Sequence, residues 1–307
     1  MLKKRLIYFA IILCCYTSNK IFAQSDTSKT VDLFADLETE SKKSDNNTAN
    51  KITSAFKSTR VVNSHTVEMV GKHNLDFRIS HRFGFLSSGS YELFGLDNAT
   101  MRMGFDYGIS NKLNIGIGRS TVDKEIDAFI KYKILQQSSG KTNVPISMAY
   151  VFSAMHYGLK TTPDLSFNNR MSFAHQLLIA RKFDDNFSLQ LMPSLVHINA
   201  VPLITDDNNL YSLGTAGRIK MSKRVAINAE YFYQFNQLSN TTNSLSLGFD
   251  IETGGHVFQL HCTNSTGMNE RGFITNTSGK WGNGDIRFGF NIVRTFALKK
   301  SAATKSW

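Results

Sequence analysis

Proline and cysteine are scarce in this chain of 307 residues, which contains only four prolines and three cysteines. Proline cannot donate a hydrogen bond to a sheet ladder, so its scarcity suits a chain that lies largely in strands. Charged residues make up 19% of the chain and hydrophobic residues 41%. These proportions exclude both a disordered chain and a helical membrane protein.

The first 23 residues have the pattern of a secretory signal peptide. Three basic residues, Lys3 to Arg5, precede an apolar run from Leu6 to Tyr16, and the small residue Ala23 ends the segment. An apolar run of eleven residues is shorter than the roughly 20 that a spanning helix needs. We therefore predict that the signal peptide is cleaved and that the mature chain begins at Gln24.

Loss of the signal peptide changes both the cysteine content and the charge. It removes Cys14 and Cys15, which leaves Cys262 without a partner for an intramolecular disulfide. It also removes four basic residues and no acidic ones, so the formal net charge falls from +11 to +7. The remaining charges are scattered without an arginine-rich block, which argues against nucleic acid as a partner.

Residues 24–53 differ from the rest of the chain in being mostly polar and rich in Ser and Asn. Within them, Val31, Leu33, Phe34 and Leu37 recur at roughly helical spacing. We predict a flexible periplasmic leader with a short amphipathic helix. Such a helix could dock a periplasmic partner, form part of a plug, or be no more than a frayed leader.

From His73 onward the apolar residues follow a period of two, which is typical of strands with two different faces. Leu75 and Phe77, for example, alternate with Asp76 and Arg78. In a soluble β-sandwich the apolar face would pack against a second sheet. In a membrane barrel it would contact lipid, and the charged face would line the lumen.

Twelve such segments follow one another, and most of them have about 9–14 residues, which is the length that a tilted membrane strand requires. They lie at about 75–85, 101–107, 113–118, 127–134, 143–155, 170–183, 186–199, 209–221, 222–235, 243–252, 255–264 and 284–297. Short and long links alternate between them, as in membrane barrels, with one exception at Thr121–Lys124. We therefore predict an all-β fold, a transmembrane antiparallel up-and-down β-barrel of about twelve strands over residues 54–298. The count becomes fourteen if Ser54–Val62 forms an additional strand, and a soluble sandwich is the competing fold.

Several stretches resemble a family of Bacteroidota β-barrel proteins that is catalogued as a domain of unknown function. They are Phe56-Lys57-Ser58-Thr59-Arg60-Val61-Val62-Asn63, Leu75–Gly84, Leu93–Asp97, Arg102–Gly108 and Ile115–Ser120. The likeness is dense over residues 55–135 and looser up to the final strand. It implies an outer-membrane barrel and adds no substrate, cofactor or catalytic residue.

The charged face of the first strands is the best candidate site. We expect eight side chains to project into the lumen: Asp76, Arg78, Arg82, Arg102, Asp106, Asp127, Lys131 and Lys133. Neighbouring strands would bring opposite charges within pairing reach, as a ladder that fills a narrow interior. The functional alternative is a surface that selects small charged solutes.

The sequence does not define the roles of two segments outside the predicted strands. The link 86–98 carries Tyr91, Leu93, Phe94 and Leu96, so it either folds into the lumen as a constriction or extends the apolar wall. Residues 299–307 form a C-terminal tail beyond the last strand, although barrels of this type usually end on an aromatic residue that the assembly machinery recognises.

Enzyme and metal sites have little support in the sequence. The eight histidines show no His-x-x-x-His spacing, and no Cys-x-x-Cys occurs, so we expect no metal or other cofactor. A barrel phospholipase would need a His-x-Ser-Asn-Gly context, which is absent. The acidic pair Asp206-Asp207 resembles the tip of a solvated loop more than the paired carboxylates of a barrel protease.

These observations favour a porin-like outer-membrane barrel that acts as a narrow channel for small solutes and is not an enzyme. The alternative is a non-conducting structural or binding barrel that docks a periplasmic partner, and a barrel hydrolase is a remote third. The expected partners are outer-membrane lipid, the barrel-assembly machinery and that periplasmic protein.

Overall fold

The computed structural model describes residues 50–52, 54–140, 142–253 and 256–299. The predicted signal peptide, the leader up to residue 49 and the tail from residue 300 lie outside the described residues and stay predictions. Among the described residues, no helix has both the length and the apolar composition needed to cross a membrane.

The fold of the described residues is a closed barrel of twelve antiparallel strands, in which β12 pairs with β1 to close the sheet. This confirms the predicted fold class and strand count. The strands are β1 Asn74–Phe85, β2 Ala99–Ser110, β3 Leu113–Ser120, β4 Ile126–Leu135, β5 Ser147–His156, β6 Met171–Lys182, β7 Phe187–Ile198, β8 Asn209–Lys220, β9 Val225–Gln234, β10 Ser244–Thr253, β11 His256–Thr263 and β12 Arg287–Ala297. Short 3-10 turns lie at Leu86–Ser88, Ser90–Gly95, Val122–Lys124, Asn168–Arg170 and Trp281–Asn283, and a π-helical turn lies at Arg271–Thr275.

The outer surface of the barrel is strongly apolar. Every second side chain of each strand points outward, and most of these outward side chains are apolar. Ile117, Ile130 and Phe249 are each at least half exposed. Aromatic side chains pair across strands on this face, as Phe77 and Phe105 do at a centroid distance of 5.1 Å. An apolar band of this extent is typical of a barrel whose outside contacts lipid.

The links between strands are long at one end of the barrel and mostly short at the other. We call these the long-loop end and the short-turn end. The long links are 86–98, 157–170, 199–208, 235–243 and 264–286, and the short ones include 111–112, 183–186, 221–224 and 254–255. The link 121–125, at the long-loop end, is the short exception that the sequence predicted.

Residues 54–72 fold into the lumen as a hairpin, which we call the N-terminal hairpin. Its two arms pair at Arg60 and His65, and the tip is closed by a hydrogen bond of 2.9 Å from Val61 N to Ser64 O. The fourteen-strand alternative, with Ser54–Val62 in the wall, is therefore wrong. The wall offers this segment no edge, because β1 already pairs with β2 and β12.

A second segment fills the lumen from the long-loop end. Residues 264–280, which we call the inner loop, turn inward from the link between β11 and β12, and the side chains of Phe273 and Ile274 are fully buried. The link 86–98 instead stays outside, with the Tyr91 side chain 94% exposed. Of the two alternatives for this link, a constriction inside the lumen is wrong, because its apolar side chains Tyr91, Leu93, Phe94 and Leu96 are exposed.

The lumen contains a hydrophobic core. Strands β5 to β9 turn apolar side chains inward, and the hairpin and the inner loop pack against them. The buried cluster consists of Ala55, Phe56, Val61 and Val67 of the hairpin, Phe273 and Ile274 of the inner loop, Leu238 of the link 235–243, and wall residues that include Ala149, Val151, Met155, Ala174, Leu178, Met192, Val196, Leu210, Ala216 and Phe232. The inside of this barrel is therefore packed like the interior of a soluble domain.

Candidate functional site

The tip of the N-terminal hairpin is held by a single wall carboxylate. Glu230 projects inward from β9 and accepts hydrogen bonds from the backbone N–H groups of Val62, Asn63 and Ser64 at 3.4, 2.8 and 3.1 Å. The Ser64 hydroxyl donates a fourth at 2.6 Å. Hydrogen bonds to a buried charged acceptor are among the strong ones in proteins, so Glu230 fixes the position of the tip.

Other wall side chains bond to the hairpin backbone in place of a strand ladder. Gln190 accepts from Val67 N at 2.9 Å and donates to His65 O at 2.7 Å. Gln259 donates to Val61 O at 2.6 Å, and Asn291 donates to Val62 O at 3.0 Å. These contacts satisfy backbone groups that burial would otherwise leave unpaired. Glu230, Gln190, Gln259 and Asn291 were not among the predicted site residues, although each occupies an inward position in the alternation.

Three of the predicted lumen charges also contact the hairpin. Arg78 donates to Thr59 Oγ1 at 2.7 Å. Arg82 donates to Asn63 Oδ1 and to the carbonyl oxygen of Gly267 in the inner loop, and Lys131 donates to Glu68 O. These three cations therefore bind protein groups within the lumen.

The other five predicted lumen charges have different surroundings. Arg102 on β2 forms a buried ion pair with Asp127 on β4, with Nε 2.8 Å from Oδ1. Asp76 accepts a hydrogen bond from the Thr295 hydroxyl at 2.6 Å. Asp106 is buried on β2, and Lys133 is partly buried near the short-turn end of β4. A role for these side chains in solute selection stays a prediction.

The hairpin and the inner loop are joined by a buried ion pair. Arg60 Nη1 lies 3.1 Å from Glu270 Oε1, and His65 Nε2 lies 3.4 Å from the same oxygen. The Phe129 ring contacts both, edge-on to His65 at 4.5 Å between ring centroids and beneath Arg60 at 5.4 Å. Phe129 is an apolar residue at an inward position of β4, between the inward Asp127 and Lys131, and its ring meets the hairpin there.

An open cavity of about 330 Å³ lies at the long-loop end, between the links 157–170, 199–208 and 235–243 and the inner loop. Arg271 lies at its border, 5.2 Å from the Tyr157 ring centroid, and forms ion pairs with Glu125 at 3.0 Å and Asp123 at 3.5 Å. Burial raises the pKa of Glu125, and the adjacent Arg271 opposes that rise. The cavity has both charged and apolar sides and could receive a small molecule.

The acidic pair Asp206 and Asp207 bonds to neighbouring links of the barrel. Asp206 accepts hydrogen bonds from Ser239 N and from Leu203 N at 3.1 and 3.2 Å, and Asp207 accepts one from Asn236 at 3.1 Å. This acidic pair therefore holds two long links together. In the described part of the chain, no three His, Cys, Asp or Glu side chains come together as metal ligands would.

Residues 56–296 match a family described as membrane bound beta barrel domain (DUF5777). This confirms the resemblance to a β-barrel family without an assigned function, whereas a Bacteroidota source stays a prediction. No curated protein matches the chain.

Among solved structures, the chain is similar to the NanC porin, with 11% identity, a TM-score of 0.46, and coverage of 72% of this chain and 98% of that one. It is similar to the KdgM porin, with 12% identity, a TM-score of 0.45, and coverage of 73% and 99%. The outer membrane protein Omp33 of Acinetobacter baumannii gives 9% identity, a TM-score of 0.40, and coverage of 73% and 99%. These likenesses are too distant to transfer a solute or an activity.

Proposed function

Since this chain belongs to the family of membrane bound beta barrel domains, we propose that it is a non-conducting barrel of the bacterial outer membrane. Its lumen serves to hold its own N-terminal hairpin, and the residues before the hairpin are offered to a periplasmic partner. Outer-membrane lipid and the barrel-assembly machinery are its other partners on this proposal.

The observation that carries the proposal is the hydrophobic core inside the lumen. Phe56, Val61 and Val67 of the hairpin are buried in one cluster with Phe273 and Ile274 of the inner loop. Returning the three hairpin side chains to water would cost roughly 5–9 kcal/mol in transfer free energy. A solute of appreciable size therefore has no path through the lumen while this core is formed.

The position of the hairpin supports the proposal that a periplasmic partner binds at the short-turn end. Asn50 and Lys51 pair with Ser139 and Ser138 in the link 136–146, which joins β4 to β5 at that end. The chain thus reaches the lumen from the short-turn end, which faces the periplasm in an outer-membrane barrel. A protein that binds the preceding leader would act directly on the hairpin.

A narrow channel for small solutes is the second candidate, and one observation favours it. The tip of the hairpin is held by the side chains of Glu230, Gln259 and Asn291, so its departure would break no hydrogen bond between wall strands. In that state Arg78, Arg82 and Lys131 would lose their hairpin partners and face the lumen.

Current across a planar bilayer tests both candidates. The mature chain from Gln24 would be refolded in detergent, its folding checked by heat-modifiable migration, and compared with a variant that lacks residues 54–72. We expect no current steps from the wild-type barrel. Steps from the folded deletion variant alone would show that the hairpin closes the lumen, whereas steps from the unmodified barrel would contradict the non-conducting proposal.

A disulfide lock provides a matched control. A Cβ built on Gly248 would lie 3.2 Å from Cγ2 of Val62, the side-chain position that the sulfur of a cysteine at residue 62 would take, so a disulfide between the two positions is geometrically feasible. The pair Val62→Cys and Gly248→Cys, in a Cys262→Ser background, would fix the hairpin to β10. Current that appears only after reduction of this disulfide would support the channel, and the absence of current in both redox states would support the closed barrel.

A further inference from the structure

A small cavity inside the lumen is bordered by four arginine side chains. Arg60 comes from the N-terminal hairpin, Arg78 and Arg82 from β1, and Arg102 from β2. All four residues are at most 4% exposed. Among the described residues, no carboxylate borders this cavity.

Only two of these four cations are neutralised by an adjacent carboxylate. Arg60 pairs with Glu270 and Arg102 pairs with Asp127. Within the described parts of the chain, Arg78 and Arg82 form no ion pair, and their hydrogen bonds go to neutral oxygen atoms of the hairpin and the inner loop. Asp106 and Asp76 act on Arg78, and Glu230 acts on Arg82, only from beyond ion-pair distance. An anion in direct contact with these two guanidinium groups would therefore stabilise them further.

The same arginines have N–H groups left to donate. Arg60 Nε, Arg78 Nε and Nη1, and Arg82 Nε are buried and bond to no group of the described residues. Guanidinium groups only donate hydrogen bonds. A single acceptor placed among them would satisfy several of these donors at once, and an anion would do so with charge-assisted hydrogen bonds.

The size of the cavity excludes a polyatomic anion and admits either a water molecule or, with a small outward shift of the surrounding side chains, a monatomic ion. Its volume is about 10 Å³, which is room for one water-sized sphere. Phosphate, sulfate and carboxylate groups are too large for this space. We propose that the cavity is a binding site for a small halide ion, chloride under physiological conditions, between Arg60, Arg78 and Arg82.

A halide at this position would contact three separate elements. Arg60 and Asn63 border the cavity from the hairpin, Arg78 and Arg82 from the wall, and Met268 from the inner loop. The ion would therefore join both lumen segments to the barrel. Halide binding should stabilise the packed lumen by mass action, because the assembled site does not exist once the hairpin has left.

Bromide is the direct probe, because its anomalous scattering identifies its position. We expect crystals of the refolded chain grown in sodium bromide to show an anomalous peak among Arg60, Arg78 and Arg82. The absence of a peak there at high bromide concentration would overturn the proposal and assign the cavity to water. This result does not depend on whether the barrel conducts, so it is separate from the test of the proposed function.

Thermal unfolding in detergent supplies a second readout. The wild-type Tm should rise with chloride and not with gluconate, which is too large for the cavity, at equal ionic strength. Arg78→Gln should weaken the apparent chloride affinity about tenfold or more, as expected for the loss of a charge-assisted hydrogen bond. Arg218→Gln removes a lumen arginine that does not border the cavity and should leave the chloride dependence unchanged.

A second variant, in which a larger side chain fills the cavity, tests the proposal even if Arg78→Gln does not fold. Ser80→Val would occupy part of the space and keep all four arginines, and it should abolish the chloride dependence of the Tm. A chloride dependence that is the same in wild type, Ser80→Val and Arg218→Gln would overturn the site.

Discussion

Gly116 on β3 lies directly opposite Phe129 on β4, and a Cβ built on Gly116 would lie 2.2 Å from Cε1 of the Phe129 ring. The missing side chain gives the ring the space over β3 from which it contacts His65 of the hairpin. A contact between two wall residues thus contributes to the position of the N-terminal hairpin.

Gly116→Ala should therefore disturb the hairpin. The added methyl group displaces the Phe129 ring, and overpacking of this kind usually costs about 1–3 kcal/mol. Urea unfolding monitored by heat-modifiable migration would measure the loss. Gly217→Ala is the matched control, because its nearest contact to an added Cβ is 4.0 Å away, and equal effects of both substitutions would contradict the steric explanation.

Removal of the Glu230 carboxylate should release the hairpin tip. Glu230→Ala leaves the N–H groups of Val62, Asn63 and Ser64 without their acceptor, at an expected cost of about 2 kcal/mol or more in closure of the hairpin. That corresponds to a roughly thirtyfold larger open population. Trypsin provides the measurement, since Arg60 is 4% exposed in the closed state and should be cleaved only when the hairpin leaves.

Glu230→Gln provides the control for that experiment. Glutamine keeps one acceptor oxygen in place and removes the charge, so its cleavage rate after Arg60 should lie between those of wild type and Glu230→Ala. A cleavage rate that is unchanged in Glu230→Ala would show that the carboxylate does not hold the tip.

The ion pair between Arg60 and Glu270 should couple the hairpin to the inner loop. In a double-mutant cycle with Arg60→Gln and Glu270→Gln, the interaction free energy should be about 1–3 kcal/mol, because both side chains are nearly fully buried. Unfolding free energies of the four proteins give the value. The pair Lys182 and Asp185, in which the Asp185 side chain is 92% exposed, is the reference, with an expected coupling below about 1 kcal/mol.

The strands and the order of links could be predicted from the sequence because both follow from local patterns. Alternation of apolar and polar residues is a property of each strand alone, and the link lengths follow once the strands are placed. Fold class and strand count were therefore predicted correctly, and the predicted positions agree with elements such as β9 and β12 to within a few residues.

The contents of the lumen could not be predicted in the same way. The sequence of residues 54–62 does not show whether this segment lies in the wall or inside the lumen, because its position is set by contacts with distant parts of the chain. Its partners, such as Glu230 and Gln259, lie far away in the sequence, and no local pattern shows such contacts. The informative signals were the inward-pointing Phe129 and the inward apolar residues Val151 and Met155, which a water-filled pore would not need.

Asp285 joins two links at the long-loop end. Lys280 N and the Ser87 hydroxyl donate hydrogen bonds to its carboxylate at 3.1 and 2.8 Å, and these donors, the Lys280 N–H first, hold its pKa below the usual range. A carboxyl whose pKa is lower in the folded protein stabilises the fold above its unfolded pKa, and the contribution is lost as the pH falls through the folded value. The contact between Ser87 and Asp285 should therefore weaken under acid conditions, and Ser87→Ala should raise the pKa of Asp285. Carboxyl NMR titration would measure both effects, with Asp184 as the internal reference. Its pKa is lowered by the N–H groups of Asn186 and Phe187 and should not respond to Ser87→Ala, whereas an equal response of both carboxyls would show that the Ser87 hydroxyl is not the cause.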